Sequence, residues 1–170
     1  LRSRMLEWDH DEDRDVRVLL GAFMLFPRRV YAEIGGFDEG FKFFVEEFDI
    51  CERVHAAGYR VAFTPRASIY HLGGKSFGAE PLRYYLTFQQ SRERYFRKHQ
   101  SALQANILRI SAFAGIFLRL VGWTLAGILM GSRRARAKSM VDVYRRALPK
   151  LLPLSSTWTE ANQAQHSAEK

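Results

Sequence analysis

The stretch ISAFAGIFLRLVGWTLAGILM, residues 110–130, constrains this chain most, because so long an apolar run must be buried in protein or in lipid. It meets the roughly 20 residues a helix needs to cross a bilayer. Arg119 lies in the middle of it, where a charge costs roughly 2.5–3.5 kcal/mol by insertion scales. Arg92, Arg94, Arg97 and Lys98 precede the run, and Arg133, Arg134, Arg136 and Lys138 follow it. A single span would carry one of these clusters across the membrane, against the preference of basic residues for the cytoplasmic side. An interfacial or re-entrant helix over 107–131 keeps both clusters on the cytoplasmic face of the cell membrane. The alternative is a core helix, with Phe117 and Trp123 packed on the rest of the chain.

Charge is distributed in the same sense. Residues 1–80 hold 11 basic and 14 acidic side chains, whereas residues 81–150 hold 14 basic and 2 acidic. A block of this sign favours an anionic surface. The basic residues surround an apolar segment and do not interleave with aromatics over a groove, so the expected surface is anionic membrane and not nucleic acid. Cys51 is the single cysteine, which excludes an internal disulfide and a cysteine-built zinc site. LRSRMLEW at the start has neither the apolar core nor the small-residue cleavage site of a secretory signal.

The hydrophobic pattern divides the chain into an α/β part over residues 1–80, a basic helical region over 81–150 and a polar tail over 151–170 that is expected to be disordered. DHDEDRD (9–15) reads as a solvated loop, and its Asp-x-Asp spacings lack the preceding apolar strand of a metal motif. VRVLLGAFMLF (16–26) is β-rich and almost wholly apolar, which predicts a strand covered on both faces. RRVYAEIGGF predicts a short helix stopped by Gly35 and Gly36. FDICERVHAAG predicts a helix with Phe48, Cys51, Val54 and His55 along one face, ended at Gly58. YRVAFTP and ASIYH suggest short strands on either side of Pro65.

FFVEEFDICER (43–53) gathers Glu46, Glu47 and Asp49 at the mouth of an apolar stretch. Acidic residues in a first turn complement the helix dipole, and Asp49 with Arg53 forms an i,i+4 pair. Alternatively, a carboxyl held near an apolar wall and a like charge has its pKa raised toward the range of a general base. Other residues carry paired readings too. Gly21 and Ala22 leave room beside a strand, for a ligand or for close packing. Trp8 suits stacking on a ligand or anchoring a loop. Gly73 and Gly74 permit close backbone approach to a ligand or form a turn, with Ser76 as a hydrogen-bond donor.

The ordered set GAFMLFPRRVYAEIGGFDEGFKFFVEEFDICERVHAAGYRVAFTPRASIYHLGGKS resembles the C-terminal half of the catalytic domain in glycosyltransferase family 2, most of all its bacterial rhamnosyltransferase-like members. The likeness covers about residues 16–77 and continues more loosely through RERYFRKH. It implies a GT-A-like fold and inverting transfer of a sugar from a nucleotide-sugar donor to a glycan or lipid-linked glycan acceptor. In that family the second acidic residue of the Glu-Asp pair deprotonates the acceptor hydroxyl, which carries over to Glu47, with Glu46 in support. Glutamate replaces aspartate here, so the choice between the two stays open. The resemblance also gives His71 a part in binding Mg²⁺ or Mn²⁺ at the donor diphosphate. It assigns Gly21 and Ala22 to the sugar cleft, and it implies that the nucleotide-binding half lies outside this chain. The competing expectation is a non-catalytic membrane-surface module or an inactive remnant.

Overall fold

The computed structural model describes residues 8–72, 81–131 and 134–151, which are mostly helical with two very short strands. The chain divides into two compact units, Leu1–Ala102 and Leu103–Lys170. The first contains β1 (Arg14–Asp15), α1 (Arg28–Glu33), α2 (Glu46–Ala56), β2 (Ala62–Phe63) and α3 (Pro81–His99). The second is built from α4 (Ala102–Leu129), α5 (Arg134–Ala147) and a 3₁₀ turn, Leu148–Leu151.

α2 begins where its sequence places it. Glu46, Glu47 and Asp49 occupy the first turn, and beyond Ala57 the left-handed Gly58 (φ 82°) ends the helix. The buried face consists of Asp49, Ile50, Cys51 and Val54. It is thus rotated from the expected one, leaving Phe48 half-buried and His55 exposed. Ile50, Cys51 and Val54 join Val16 and Val61 in the core, with Trp8, Met24, Phe26 and Tyr59 packed around them. α1 also ends as read, at the positive-φ pair Gly35 and Gly36.

The strand expected over 16–26 is not formed. Arg14 pairs with Phe63 and Asp15 with Ala62, antiparallel, and Val16 N–H donates to Val61 O at 2.9 Å. Beyond Val16 the segment is irregular, and Leu20 and Leu25 stand 69% and 90% exposed. A strand covered on both faces needs hydrogen-bonding neighbours and helices above and below it. Among the described residues, this segment packs on α2 on one side, and its backbone pairing with a neighbouring extended segment stops at Val16 with Val61. Part of the polar run 9–15 supplies β1, and Asp13 and Asp15 pair with Arg66 (2.7 Å) and Arg60 (3.1 Å). Residues 67–71, expected as strand, are irregular.

α3, grouped with the basic region by composition, packs on α2 within the first unit. Ser91, Arg94, Tyr95, Lys98 and His99 recur at helical spacing on its inner side. Ser91 Oγ donates to Phe43 O at 2.6 Å, and Arg94 and Lys98 both bind Asp38. Gly40 lies below this contact, where a Cβ would sit 2.1 Å from the Arg94 Cζ and push the guanidinium aside. Bidentate donation from Arg94 Nη2 to the Asp38 carboxylate (2.8 and 3.0 Å) therefore depends on a missing side chain.

Candidate active site

The first turn of α2 is approached through a strained backbone. Phe44 and Val45 both have φ of 68°, and Val45 is the N-cap. A β-branched residue in the left-handed region is a genuine outlier, costing on the order of 1–3 kcal/mol and persisting only where its surroundings hold it. They do so here. Val45 is buried, the Phe44 ring packs edge-on against Tyr84 (4.8 Å) and Phe88 (5.7 Å), and Ser91 grips the carbonyl of Phe43. Val45 O then accepts the N–H groups of Phe48 and Asp49, each at 3.1 Å.

This turn presents two carboxyls in different states. Burial pushes the Glu47 pKa up and the neighbouring Glu46 charge adds to it, against the backbone N–H groups of Glu47 and Val45. Gly21 lies against it, since a Cβ there would sit 3.5 Å from Glu47 Cβ and 4.0 Å from Oε2. Two residues separated in sequence and singled out for one site are thus brought together. Glu46 Oε2 is buried without a hydrogen-bond partner among the described residues. An unmet acceptor beside a carboxyl of raised pKa is a place where a donor hydroxyl gains a bond.

Asp49 has a different task. It is wholly buried and accepts from Arg53 Nε (2.9 Å), while Lys98 Nζ and His99 Nε2 each lie 2.7 Å from its other oxygen. Burial works to raise its pKa, but donation from Lys98, His99 and Arg53 outweighs this and holds it below the usual carboxylate range. Such a group stays ionised and does not take a proton in a reaction near neutral pH. The i,i+4 pairing with Arg53 was legible in sequence; Lys98 and His99, which come from α3, were not. Arg53 also donates to Ile34 O, linking α2 to the end of α1. One position along, Glu52 accepts from Arg17 Nη2 (3.0 Å) and the Tyr95 hydroxyl (3.2 Å). Burial and the Glu52 charge push the Tyr95 pKa up to about 12.

The other candidates fall elsewhere. Trp8 has the Phe63 and His10 rings at 5.0 and 4.6 Å and the Arg14 guanidinium over it at 5.1 Å, the surroundings of a loop anchor. Ala22 is half-buried beside Gly21. His71 is exposed in an irregular segment and makes no hydrogen bond or ring contact with other described residues. Among the described residues, no three His, Cys, Asp or Glu side chains converge as a metal site. Gly73, Gly74 and Ser76 lie outside the described residues.

A carboxyl of raised pKa packed against Gly21 is one that can take a proton from a hydroxyl, and the curated proteins this chain is similar to are named as sugar transferases. It is 26% identical over 140 residues to the N-acetylglucosaminyl-diphospho-decaprenol L-rhamnosyltransferase of two Mycobacterium tuberculosis strains, CDC 1551 / Oshkosh and ATCC 25618 / H37Rv. That alignment covers 82% of this chain and 41% of the relative. It is 30% identical over 95 residues to rhamnosyltransferase WbbL of Escherichia coli K12, covering 54% of this chain and 35% of that protein. The chain therefore spans about two fifths or less of the length of these curated relatives. No family model and no solved structure matches. This partial, distant likeness supports a glycosyltransferase-like chain in general.

Proposed function

We propose that this chain carries the acceptor-activating part of an inverting family 2 glycosyltransferase of GT-A-like fold. Its donor is a nucleotide-activated sugar, rhamnose by analogy with the relatives' names, and its acceptor is a glycan on a lipid diphosphate. The nucleotide is bound mainly by a half of the enzyme beyond this chain. Glu47, with its raised pKa beside Gly21 at a strained helix start, is the observation that carries this reading.

The reaction is a single displacement. Glu47 takes the proton of the acceptor hydroxyl as that oxygen forms a bond to the anomeric carbon. The bond from that carbon to the diphosphate oxygen breaks with inversion, and the nucleoside diphosphate leaves with the electron pair. A base of this kind contributes typically 10²–10⁴-fold. Burial, with the Glu46 charge adding to it, keeps the Glu47 pKa high, and Glu46 offers its unmet Oε2 to the acceptor. Asp49 fixes the direction of α2 from beneath through Arg53, Lys98 and His99. His71 by itself does not make a cation site, so no step is assigned to Mg²⁺ or Mn²⁺; a cation at the donor diphosphate would have to share its ligands with the nucleotide-binding half.

The test is transfer from nucleotide-activated rhamnose to a polyprenyl-diphosphate-linked N-acetylglucosamine. It is run with the chain supplied with a nucleotide-binding half in trans. Glu47→Gln should lower turnover by roughly 10²–10⁴-fold while donor binding persists. Wild-type turnover in that variant refutes the role of Glu47.

A further inference from the structure

Among the described residues, the second unit carries an apolar surface exposed along α4. Ala105, Ala112 and Ile116 define the buried side of α4. Ile107, Ile110, Phe117, Val121, Leu125 and Ile128 lie on another side and are between 40% and 67% exposed. At 3.6 residues per turn these six fall within an arc of about 80°, a continuous stripe along the helix. Arg119 projects about 160° from the centre of that arc. Its Nη1 donates to Gly115 O at 3.0 Å, and Thr124 and Ser111 hydroxyls likewise bond carbonyls of their own helix at 2.8 and 2.7 Å. The charge that makes the run a poor span in sequence is therefore off the apolar stripe.

Contacts near both ends of α4 show what covers its other side. Gly127 meets α5 so closely that a Cβ there would lie 3.0 Å from the Ala137 Cβ, and the Arg136 guanidinium lies over the Trp123 ring at 5.8 Å. Toward the start of α4, Arg109 Nε donates to Leu151 O at 3.3 Å. α5 and the 3₁₀ turn thus run back along α4 from 127 to 109, about 27 Å. Arg134, Arg136, Lys138, Arg145 and Arg146 are exposed on this return path, where Asp142 is the single acidic residue. Were α4 to cross a bilayer, α5 beside it would take several of these charges into hydrocarbon, where each is expensive.

The geometry points to residues 103–151 as an in-plane membrane anchor. α4 lies parallel to an anionic bilayer surface with the Ile107-to-Ile128 stripe among the acyl chains, and α5 rides above it among the headgroups. Charge decides the occupant of the stripe. Residues 103–151 hold nine basic side chains and one acidic, so an anionic lipid surface complements them, whereas a second copy would bring like charge against like. This placement holds whether or not the chain transfers a sugar.

The test uses the full 170-residue chain and phosphatidylcholine vesicles with and without phosphatidylglycerol. Val121→Asp, an exposed position on the stripe, should weaken partitioning on the order of tenfold on the anionic vesicles and abolish any binding to the neutral ones. Arg145→Gln with Arg146→Gln should weaken it by roughly 25-fold on anionic vesicles alone, about fivefold per lost cation. Circular dichroism checks that each variant keeps its helix content. Orientation is read in a Cys51→Ala background with single cysteines at Ala102 and Met130, both exposed and off the stripe. An in-plane helix leaves both reactive to a membrane-impermeant maleimide added outside, whereas protection of one end means a span and overturns the proposal. Failure to bind anionic vesicles also overturns it, as does dimerisation without vesicles that shields a label at Val121.

Discussion

Replacing Asp49 by asparagine tests whether the buried carboxylate is what joins α3 to α2. Asp49 has no solvent exposure, and Lys98, His99 and Arg53 converge on it at 2.7–2.9 Å. Asparagine keeps the shape but removes the charge and turns one acceptor into a donor facing cations. Breaking a buried ion pair on one side costs about 3–5 kcal/mol, a large share of the about 5–15 kcal/mol that a domain possesses. With a urea dependence of about 1.5 kcal/mol per molar, the unfolding midpoint should fall by about 2–3 M. Trp8 packs in the first unit, so its fluorescence in a Trp123→Phe/Trp158→Phe background follows that unit. The difference should also depend on pH. Although burial opposes it, the donors depress the folded pKa of Asp49 below the unfolded value. The contribution of the ionised form is thus complete above about pH 4 and is lost as pH falls through the depressed folded value. Wild type and variant should therefore converge in acid. Asp38, depressed by Lys98 and Arg94 despite its own burial, keeps some acid sensitivity in both. A midpoint shift below about 0.5 M at neutral pH would refute the claim that this network holds the two helices together.

Other outcomes follow from the same geometry. Because burial and the Glu46 charge raise the Glu47 pKa, the acid limb of kcat/KM should lie above the ordinary carboxylate range, and Glu46→Gln should move it to lower pH; a limb that stays put in a pH–rate profile removes Glu46 from the role. Gly21→Ala places a Cβ at ordinary contact distance from Glu47 and should leave stability within about 1 kcal/mol, whereas Gly21→Phe should displace the Glu47 side chain and lower turnover more than it lowers the unfolding midpoint. Gly58→Ala meets nothing within 4 Å but must adopt φ 82°, so thermal unfolding should report a loss of about 1–2 kcal/mol, smaller for Gly58→Asn.

By itself the sequence determined what depends on neighbours a few residues apart. The limits of α1 and α2, their glycine stops, the acidic first turn, the Asp49–Arg53 pair and the run of three helices from Pro81 onward all arise within one or two turns of chain, where spacing and backbone geometry decide. The Glu46/Glu47 pair was legible as a candidate for the same reason. Tertiary structure alone decided everything that needs a partner from far along the chain. An apolar run such as 16–26 states that it wants covering but not whether strands will be there to cover it, and beyond Val16 the described residues supply none. Likewise the local pairing of Asp49 with Arg53 does not reveal that this carboxylate is buried or that α3 supplies it with two more donors. Packing against α3, 50 residues away, brings Lys98 and His99 onto one carboxylate and, with Arg53, holds its pKa down against burial, while at Glu47, against Gly21, burial and a like charge push the pKa up.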